Sequence, residues 1–212
     1  MIRAALFDFG GVILSSPFEA FAHYERAHGL PTDFLRTVNA TDPDTNAWAR
    51  LERSEVSLRE FSDLFAAESR ALGHEVPGSD VLAMLSGEIR PAMVEAVRRC
   101  SERLVTGLLT NNFLLGDGEP ARAAGASSRH AEVLGLFDGI IESSRVGVRK
   151  PDPRFYTVAC ERLGVEPVEC VFLDDLGINL KPAREMGMTT IKVGEPAEAI
   201  GELEAVLGLR LA

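Results

Sequence analysis

Apolar runs at positions 2–7, 104–109, 139–141, 170–173 and 189–193 are each closed by turn-forming residues, which is the pattern of buried strands. Between them apolar side chains recur every three or four positions and predict helices over 91–102, 129–135, 153–163, 177–186 and 195–207. Pro91 and Pro153 suit the first helical turn, where a missing N–H loses no partner. Strand and helix therefore alternate, as they do when a parallel sheet is covered on both faces by helices. The expected fold class is α/β, a doubly wound, Rossmann-like core.

Residues 15–89 break this rhythm. Phe18, Phe21 and Ala22, then Phe34, Leu35 and Val38, then Phe61, Leu64 and Phe65 recur at helical spacing, and no strand pattern separates them. The expectation is a core domain built from 1–14 and 90–212, with 15–89 inserted as a helical subdomain. An insertion at that point leaves the carboxyl end of the first strand, the edge at which open α/β sheets bind ligands, so the insert is expected to serve as a cap. Trp48 and the phenylalanines are expected to pack inside it rather than to line a pocket. Residues 114–128, rich in Gly, Ala, Ser and Pro, are expected to form a loop beside the second strand's end.

Composition narrows the range of partners. The chain has 212 residues, 46% hydrophobic and 25% charged, enough for one core with a modest insert. A net charge of -10 and a pI near 4.9 repel nucleic acids and anionic lipid surfaces. Nucleic acid is not an expected partner, and an anionic substrate must be captured locally with a cation's help. Cys100, Cys160 and Cys170 are odd in number, scattered and outside any Cys-x-x-Cys pattern, which fits reduced thiols and a cytoplasmic location. Asp8 interrupts the first apolar run, so a signal peptide is not expected; no apolar stretch is long enough for membrane insertion. Oligomeric state is left open.

Four segments place polar groups where strands should end: Asp8, Thr110-Asn111-Asn112, Lys150-Pro-Asp-Pro, and Asp174-Asp175 followed by Asn179. In a parallel sheet these ends share one edge. Carboxylates beside a hydroxyl, an amide and a lysine make an oxygen-rich site for a hard cation such as Mg²⁺, which keeps several waters and also takes phosphate oxygens. Plainer readings exist for each segment alone: a turn cap for Asp8, a helix cap for Asp174-Asp175, turn residues for Thr110 and Asn111. Lys150 is harder to set aside, because the chain has nineteen Arg and only three Lys. A compact ammonium suits a crowded carboxylate site better than a planar guanidinium does. Asp42-Pro-Asp44-Thr-Asn46 lacks the glycine and the closing glutamate of a calcium loop and reads as a solvated turn, and His23, His28, His74 and His130 form no ligand-spaced pair.

Asp8-Phe-Gly-Gly-Val, Leu109-Thr-Asn-Asn-Phe, Lys150-Pro-Asp-Pro-Arg-Phe-Tyr and Phe172-Leu-Asp-Asp-Leu-Gly-Ile-Asn-Leu resemble, in order and across the whole chain, the four motifs of the haloacid dehalogenase superfamily. The last motif, its continuation Lys181-Pro-Ala-Arg-Glu-Met-Gly-Met, and Thr110-Asn-Asn-Phe are most similar to the phosphatase domain fused to soluble epoxide hydrolase; a similar domain precedes some acyl-CoA dehydrogenases. The resemblance implies a Mg²⁺-dependent phosphatase in which Asp8 attacks phosphorus and carries an aspartyl phosphate. It implies that Asp8, the Gly10 carbonyl and Asp175 hold the metal, with Asp174 behind them and Asn179 orienting the carboxylates. Thr110, Asn111 and Lys150 would hold the phosphate oxygens, and residues 15–89 match the family's helical cap. The substrate class implied is a small or lipid-like phosphomonoester.

Gly10 departs from the family pattern. Phosphatases of the family carry at this position the residue that protonates the leaving oxygen, and its loss costs about 10²–10⁴ in rate. The expectation is a weakened phosphatase that favours leaving groups needing no proton, with Glu19 as a replacement acid only by conjecture. The alternative from another class is a catalytically feeble module that binds metal and phosphate for regulation. Carbon–halogen hydrolysis is disfavoured, because dehalogenases of the family replace the paired aspartates with neutral residues. Phosphonate cleavage through a cap lysine is excluded, since 15–89 contains no lysine.

Overall fold

The computed structural model describes residues 1–85, 87–112 and 128–211; for Glu19, Ser128 and Arg129 it describes the backbone alone. The chain opens with β1 (Ala4–Phe7) and then makes α1 (Phe18–His28), α2 (Phe34–Ala40), α3 (Ala47–Glu52), α4 (Leu58–Ala71) and α5 (Gly78–Ala83). The alternating part follows: α6 (Pro91–Ser101), β2 (Val105–Thr110), α7 (Ser128–Leu134), β3 (Gly139–Glu142), α8 (Ser143–Val146), α9 (Pro153–Leu163), β4 (Cys170–Asp174), α10 (Gly177–Glu185), β5 (Thr189–Lys192) and α11 (Pro196–Leu207).

The five strands form one parallel sheet in the order β3-β2-β1-β4-β5. All four residues of β1 are fully buried, which is why the run reads as continuously apolar rather than alternating. Side-chain alternation divides them between the two faces. Ala5 and Phe7 join Leu108, Val171 and Leu173 against Met93, Ala96 and Val97 of α6 and Ala199, Ile200 and Leu203 of α11. Ala4 and Leu6 join Leu109 and Phe172 on the opposite face, against Phe155, Tyr156 and Ala159 of α9 and Leu180 and Ala183 of α10. The fold is the α/β doubly wound core that the pattern predicts.

Differences are local. The turn of helix α8, directly after β3, has no apolar periodicity to announce it and stops at Gly147, whose φ of 73° suits glycine. The segments leaving β1 and returning to α6 pair briefly: Leu14 bridges Ile89 in antiparallel fashion, Ser15 N–H donates to the Glu88 carbonyl (2.8 Å) and Arg90 N–H to the Ile13 carbonyl (2.9 Å). The loop expected over 114–128 lies, except for the backbone of Ser128, outside the described residues.

Two compact units result. One comprises Met1–Ser15 and Glu88–Asn111 with the described residues from 128 onward, and the other contains Ser16–Gly87. The second is helical around Phe21, Phe34, Leu35, Phe61 and Phe65. There α4 opens with a reciprocal Ser57–Glu60 capping box, and the buried Glu25 carboxylate accepts from Asp33 N–H and Leu35 N–H at the start of α2. Trp48 packs edge-on against Phe61, 5.4 Å between ring centres, and donates Nε1–H to Glu52 Oε1 at 3.0 Å. No helix among the described residues is long and apolar enough to cross a membrane.

Candidate active site

The strand order reverses direction at β1, so the crevice beyond the carboxyl ends of β1 and β4 is the topological switch point where doubly wound sheets bind ligands. Register brings two carboxylates there. Phe7 lies opposite Leu173, and the next residues are Asp8 and Asp174. Asp8 N–H donates to the Leu173 carbonyl (2.9 Å), fixing the backbone, and Asp8 Oδ1 accepts from Phe9 N–H (2.7 Å), which caps the wide turn Phe9–Ile13.

That turn is shaped by its glycines. Gly11 has φ +75°, and a Cβ placed there would overlap the Asp175 carboxylate. Glycine is thus required twice over, by conformation and by the approach of the carboxylate. Gly11→Ala is expected to cost at least about 1–2 kcal/mol from the left-handed conformation alone. It should also push Asp175 out of place, and thermal melting with and without Mg²⁺ checks both effects. Gly10 is different: it is exposed, its φ of -70° and ψ of 134° are open to any L-residue, and a Cβ would meet nothing within 4 Å among the described residues.

Lys150 supplies the charge that holds the carboxylates together. Only 1% exposed, it places Nζ 2.9 Å from Asp8 Oδ1 and 2.7 Å from Asp174 Oδ2, and 5.5 Å from the centre of the Phe172 ring. A buried ammonium is tolerable only when paired in this way. Its backbone is gripped by Asn111, whose Nδ2 donates to the Lys150 carbonyl (3.0 Å) while its Oδ1 accepts from Lys150 N–H (2.9 Å). Asp174 is saturated, for Leu176 N–H and Asn179 Nδ2 donate to Oδ1 and Lys150 Nζ and Asn179 Nδ2 to Oδ2. Asn179 is steadied in turn by Tyr156, whose hydroxyl donates to its carbonyl at 2.6 Å.

Asp8 Oδ2, by contrast, makes no hydrogen bond among the described residues, and neither carboxylate oxygen of Asp175 accepts from a side chain among them. One oxygen each from Asp8, Asp174 and Asp175 lie within 4.8 Å of one another. When all three carboxylates are ionised their negative charge exceeds that of the one buried ammonium between them, so the donor set suits a divalent cation in sign and in its preference for oxygen. The residues that could hold Mg²⁺ directly are those with open oxygens, Asp8 and Asp175, while Asp174 is committed to Lys150 and Asn179. Among the described residues this is the one carboxylate, histidine or thiol cluster of that kind.

Electrostatics record the crowding of the metal-free cluster. Burial first, and the neighbouring Asp174 and Asp175 next among the raising causes, push the Asp8 carboxyl well above its usual range even though Lys150 pulls it down. Burial and Asp174 raise Asp175 to about 6. Burial alone would lower Lys150, but Asp174 and Asp8 outweigh it and the net direction is upward. An acid whose pKa is higher in the folded state holds a proton that the unfolded chain has lost, so it favours folding at low pH and loses that contribution as pH rises through the folded pKa. In EDTA, Asp175→Asn is therefore expected to gain thermal stability relative to native protein as pH rises from about 4 to above 6, and Mg²⁺ should reverse the ranking. Paired melting curves across that range decide it.

Of the residues singled out by sequence, Asp8, Lys150, Asp174, Asp175 and Asn179 converge at this edge with the Gly10–Gly11 turn beside them. Thr110 is buried at the end of β2, its hydroxyl directed to the Asn111 carbonyl at 3.4 Å. The Asn111 amide bonds the Lys150 backbone in both directions, so its side chain fixes the lysine at the end of β2. Glu19 lies on α1, but its side chain lies outside the described residues. Sequence reasoning missed Arg90, whose Nη1 donates to the Gly11 carbonyl at 2.8 Å, and Tyr156. Tyr156 closes the segment Lys150-Pro-Asp-Pro-Arg-Phe-Tyr, but nothing in that segment signals its bond to the Asn179 carbonyl.

Fold and site together define a doubly wound α/β protein with an aspartate-rich cluster at the carboxyl edge of its sheet. A family model for haloacid dehalogenase-like hydrolases matches residues 2–187, and the chain belongs to that family. Among curated relatives it is 34% identical over 215 residues to acyl-CoA dehydrogenase family member 10 of Mus musculus, covering 99% of this chain and 19% of that protein. It is also 34% identical over 219 residues to bifunctional epoxide hydrolase 2 of Mus musculus, covering 98% of this chain and 39% of that protein. The chain thus spans well under half the length of these two relatives. Phosphatase MT3486 of Mycobacterium tuberculosis (strain CDC 1551 / Oshkosh) is 30% identical over 199 residues, covering 88% of this chain and 85% of that one. A solved haloacid dehalogenase family enzyme, BT-2542 of Bacteroides thetaiotaomicron in complex with magnesium and inorganic phosphate, shares the fold: TM-score 0.58 at 19% identity, covering 92% and 95% of the two chains.

Proposed function

We propose that this hydrolase is a Mg²⁺-dependent phosphomonoesterase that works through an aspartyl phosphate on Asp8. The observation that carries the reading is the division of labour among the carboxylates. Asp174 spends both oxygens on Lys150, Asn179 and a backbone N–H, while Asp8 Oδ2 accepts no hydrogen bond among the described residues and is aligned by a capped turn and flanked by the ammonium of Lys150. A nucleophile needs a free oxygen held in a fixed direction, and Asp8 has one. Mg²⁺, when bound, offsets the charge of the carboxylates and of the phosphate brought to them.

This chain's residues would do the rest. Lys150 offsets charge on Asp8 and on the transferring group, Asn111 holds the lysine at the required height, and Thr110 lies at the neighbouring strand end to donate to a phosphate oxygen. Residues 15–89, which match the family's helical cap, would select the substrate, a small or lipid-like phosphate. The phosphatase relative from Mycobacterium tuberculosis and the magnesium–phosphate complex of a neighbour in fold support the reaction class. Release of inorganic phosphate from p-nitrophenyl phosphate, with Mg²⁺ and with EDTA, tests it; turnover indifferent to Mg²⁺ refutes it.

Gly10 favours a second reading, a module that binds metal and phosphate with little turnover, because glycine has no group to protonate a leaving oxygen. Mg²⁺ and phosphate binding without phosphate release from either aryl or alkyl esters would select it.

A further inference from the structure

Arg90 stands directly before α6, two residues after the chain returns to the core unit at Glu88, and it is tied to the nucleophile turn twice. Its backbone N–H donates to the Ile13 carbonyl (2.9 Å) and its Nη1 to the Gly11 carbonyl (2.8 Å), so both ends of the residue fasten the segment that follows Asp8. Gly11 is also the residue whose α-carbon is covered by the Asp175 carboxylate, which occupies the position a Cβ would take. One half-buried guanidinium therefore touches the turn on which Asp8 and Asp175 both lean. Lys150 lies on the Asp8–Asp174 side of the carboxylates. Arg90 brings a second positive charge to the Asp175 side, where it is felt against the pull of burial and of Asp174.

We propose that Arg90 is a positioning residue: by holding the Gly11 carbonyl it fixes the Gly10–Gly11 turn so that Asp8, the Gly10 carbonyl and Asp175 face one cation together. The inference rests on the reading of the site given above but names a residue outside its carboxylate, lysine and amide set. A guanidinium suits the task because its planar fork can bond a carbonyl with one N–H and still present the others to a carboxylate. Residues that orient metal ligands without touching the metal typically change metal affinity or activity by about 10–100-fold when removed.

The test uses Arg90→Ala and Arg90→Lys in the full chain. In Arg90→Ala, Mg²⁺ affinity measured by calorimetry and kcat on p-nitrophenyl phosphate are each expected to fall by about 10–100-fold, with KM changed far less. In metal-free protein, amide exchange across Phe9–Leu14 is expected to quicken, since the Leu14 N–H bond to the Phe9 carbonyl closes that turn. Millimolar guanidinium, but not methylammonium, should restore part of the Mg²⁺ affinity, which a merely structural loss would not allow. Arg90→Lys keeps charge and one donor and is expected to fall between native and Arg90→Ala. Native Mg²⁺ affinity and native exchange in Arg90→Ala overturn the proposal, as does a loss that guanidinium leaves untouched. Should Arg90→Ala fail to fold, native affinity in Arg90→Lys overturns it and a loss of affinity at an unchanged Tm supports it. Because calorimetry and exchange need no turnover, a native protein that releases no phosphate would refute the phosphatase reading and leave Arg90 still open to judgement.

Discussion

Asp8→Asn is expected to reduce Mg²⁺-dependent phosphate release by on the order of 10⁴–10⁶, the scale measured when catalytic residues are removed from a hydrolase that uses a covalent nucleophile. The substitution is nearly isosteric. The introduced amide oxygen can keep the bond from Phe9 N–H, and the backbone bond from the N–H at position 8 to the Leu173 carbonyl is unaffected. What disappears is the free carboxylate oxygen and one of the two negative groups that Lys150 balances. The metal-free fold should not weaken, because the Asp8 carboxyl is already pushed toward its neutral form by burial and by Asp174. Loss of turnover with an unchanged or raised melting temperature is the expected pair of results. Steady-state kinetics against thermal melting in EDTA measure it, and turnover above about a hundredth of the native rate would remove Asp8 from the nucleophile's role.

The sheet and the carboxylates were open to sequence reasoning for a physical reason. A central strand of a parallel sheet is buried on both faces, so β1 and the part of β4 before Asp174 appear as unbroken apolar runs, and the first polar residue after such a run stands at the carboxyl edge. Asp8 and Asp174 are those residues. The role of Asn111 was less legible because its partners are the backbone N–H and carbonyl of Lys150, thirty-nine positions away. A side chain that bonds backbone leaves no signature in the partner's identity. Arg90 was hidden differently: it is one of nineteen arginines, and what sets it apart is the Gly11 carbonyl brought to it by the brief pairing of Leu14 with Ile89. The sequence marks Gly10 and Gly11 as one motif, yet the two adjacent glycines are unlike in structure. Gly11 cannot be replaced without displacing Asp175, while Gly10 sits in ordinary extended conformation with no described atom within 4 Å of the position a Cβ would take.

That difference sets the second large expectation, that Gly10→Asp accelerates hydrolysis of alkyl phosphates by about 10²–10⁴, the usual worth of a positioned general acid–base. A φ of -70° and a ψ of 134° impose no penalty on aspartate, and no atom of the described residues within 4 Å opposes the new Cβ, so the variant should fold as native protein does. The gain should depend on the leaving group. An alkoxide must be protonated as it departs, whereas a p-nitrophenolate or an acyl leaving group departs unaided. The native protein is therefore expected to hydrolyse aryl and acyl phosphates far better than alkyl ones, and Gly10→Asp to narrow that ratio mainly by raising the alkyl rate. Parallel kcat/KM measurements on an alkyl and an aryl ester, in both proteins, separate the cases. Equal native rates on the two esters, with no response to Gly10→Asp, would mean that another group already supplies the proton. A narrowed ratio would mean instead that glycine at position 10 limits this hydrolase to substrates whose leaving groups need no acid.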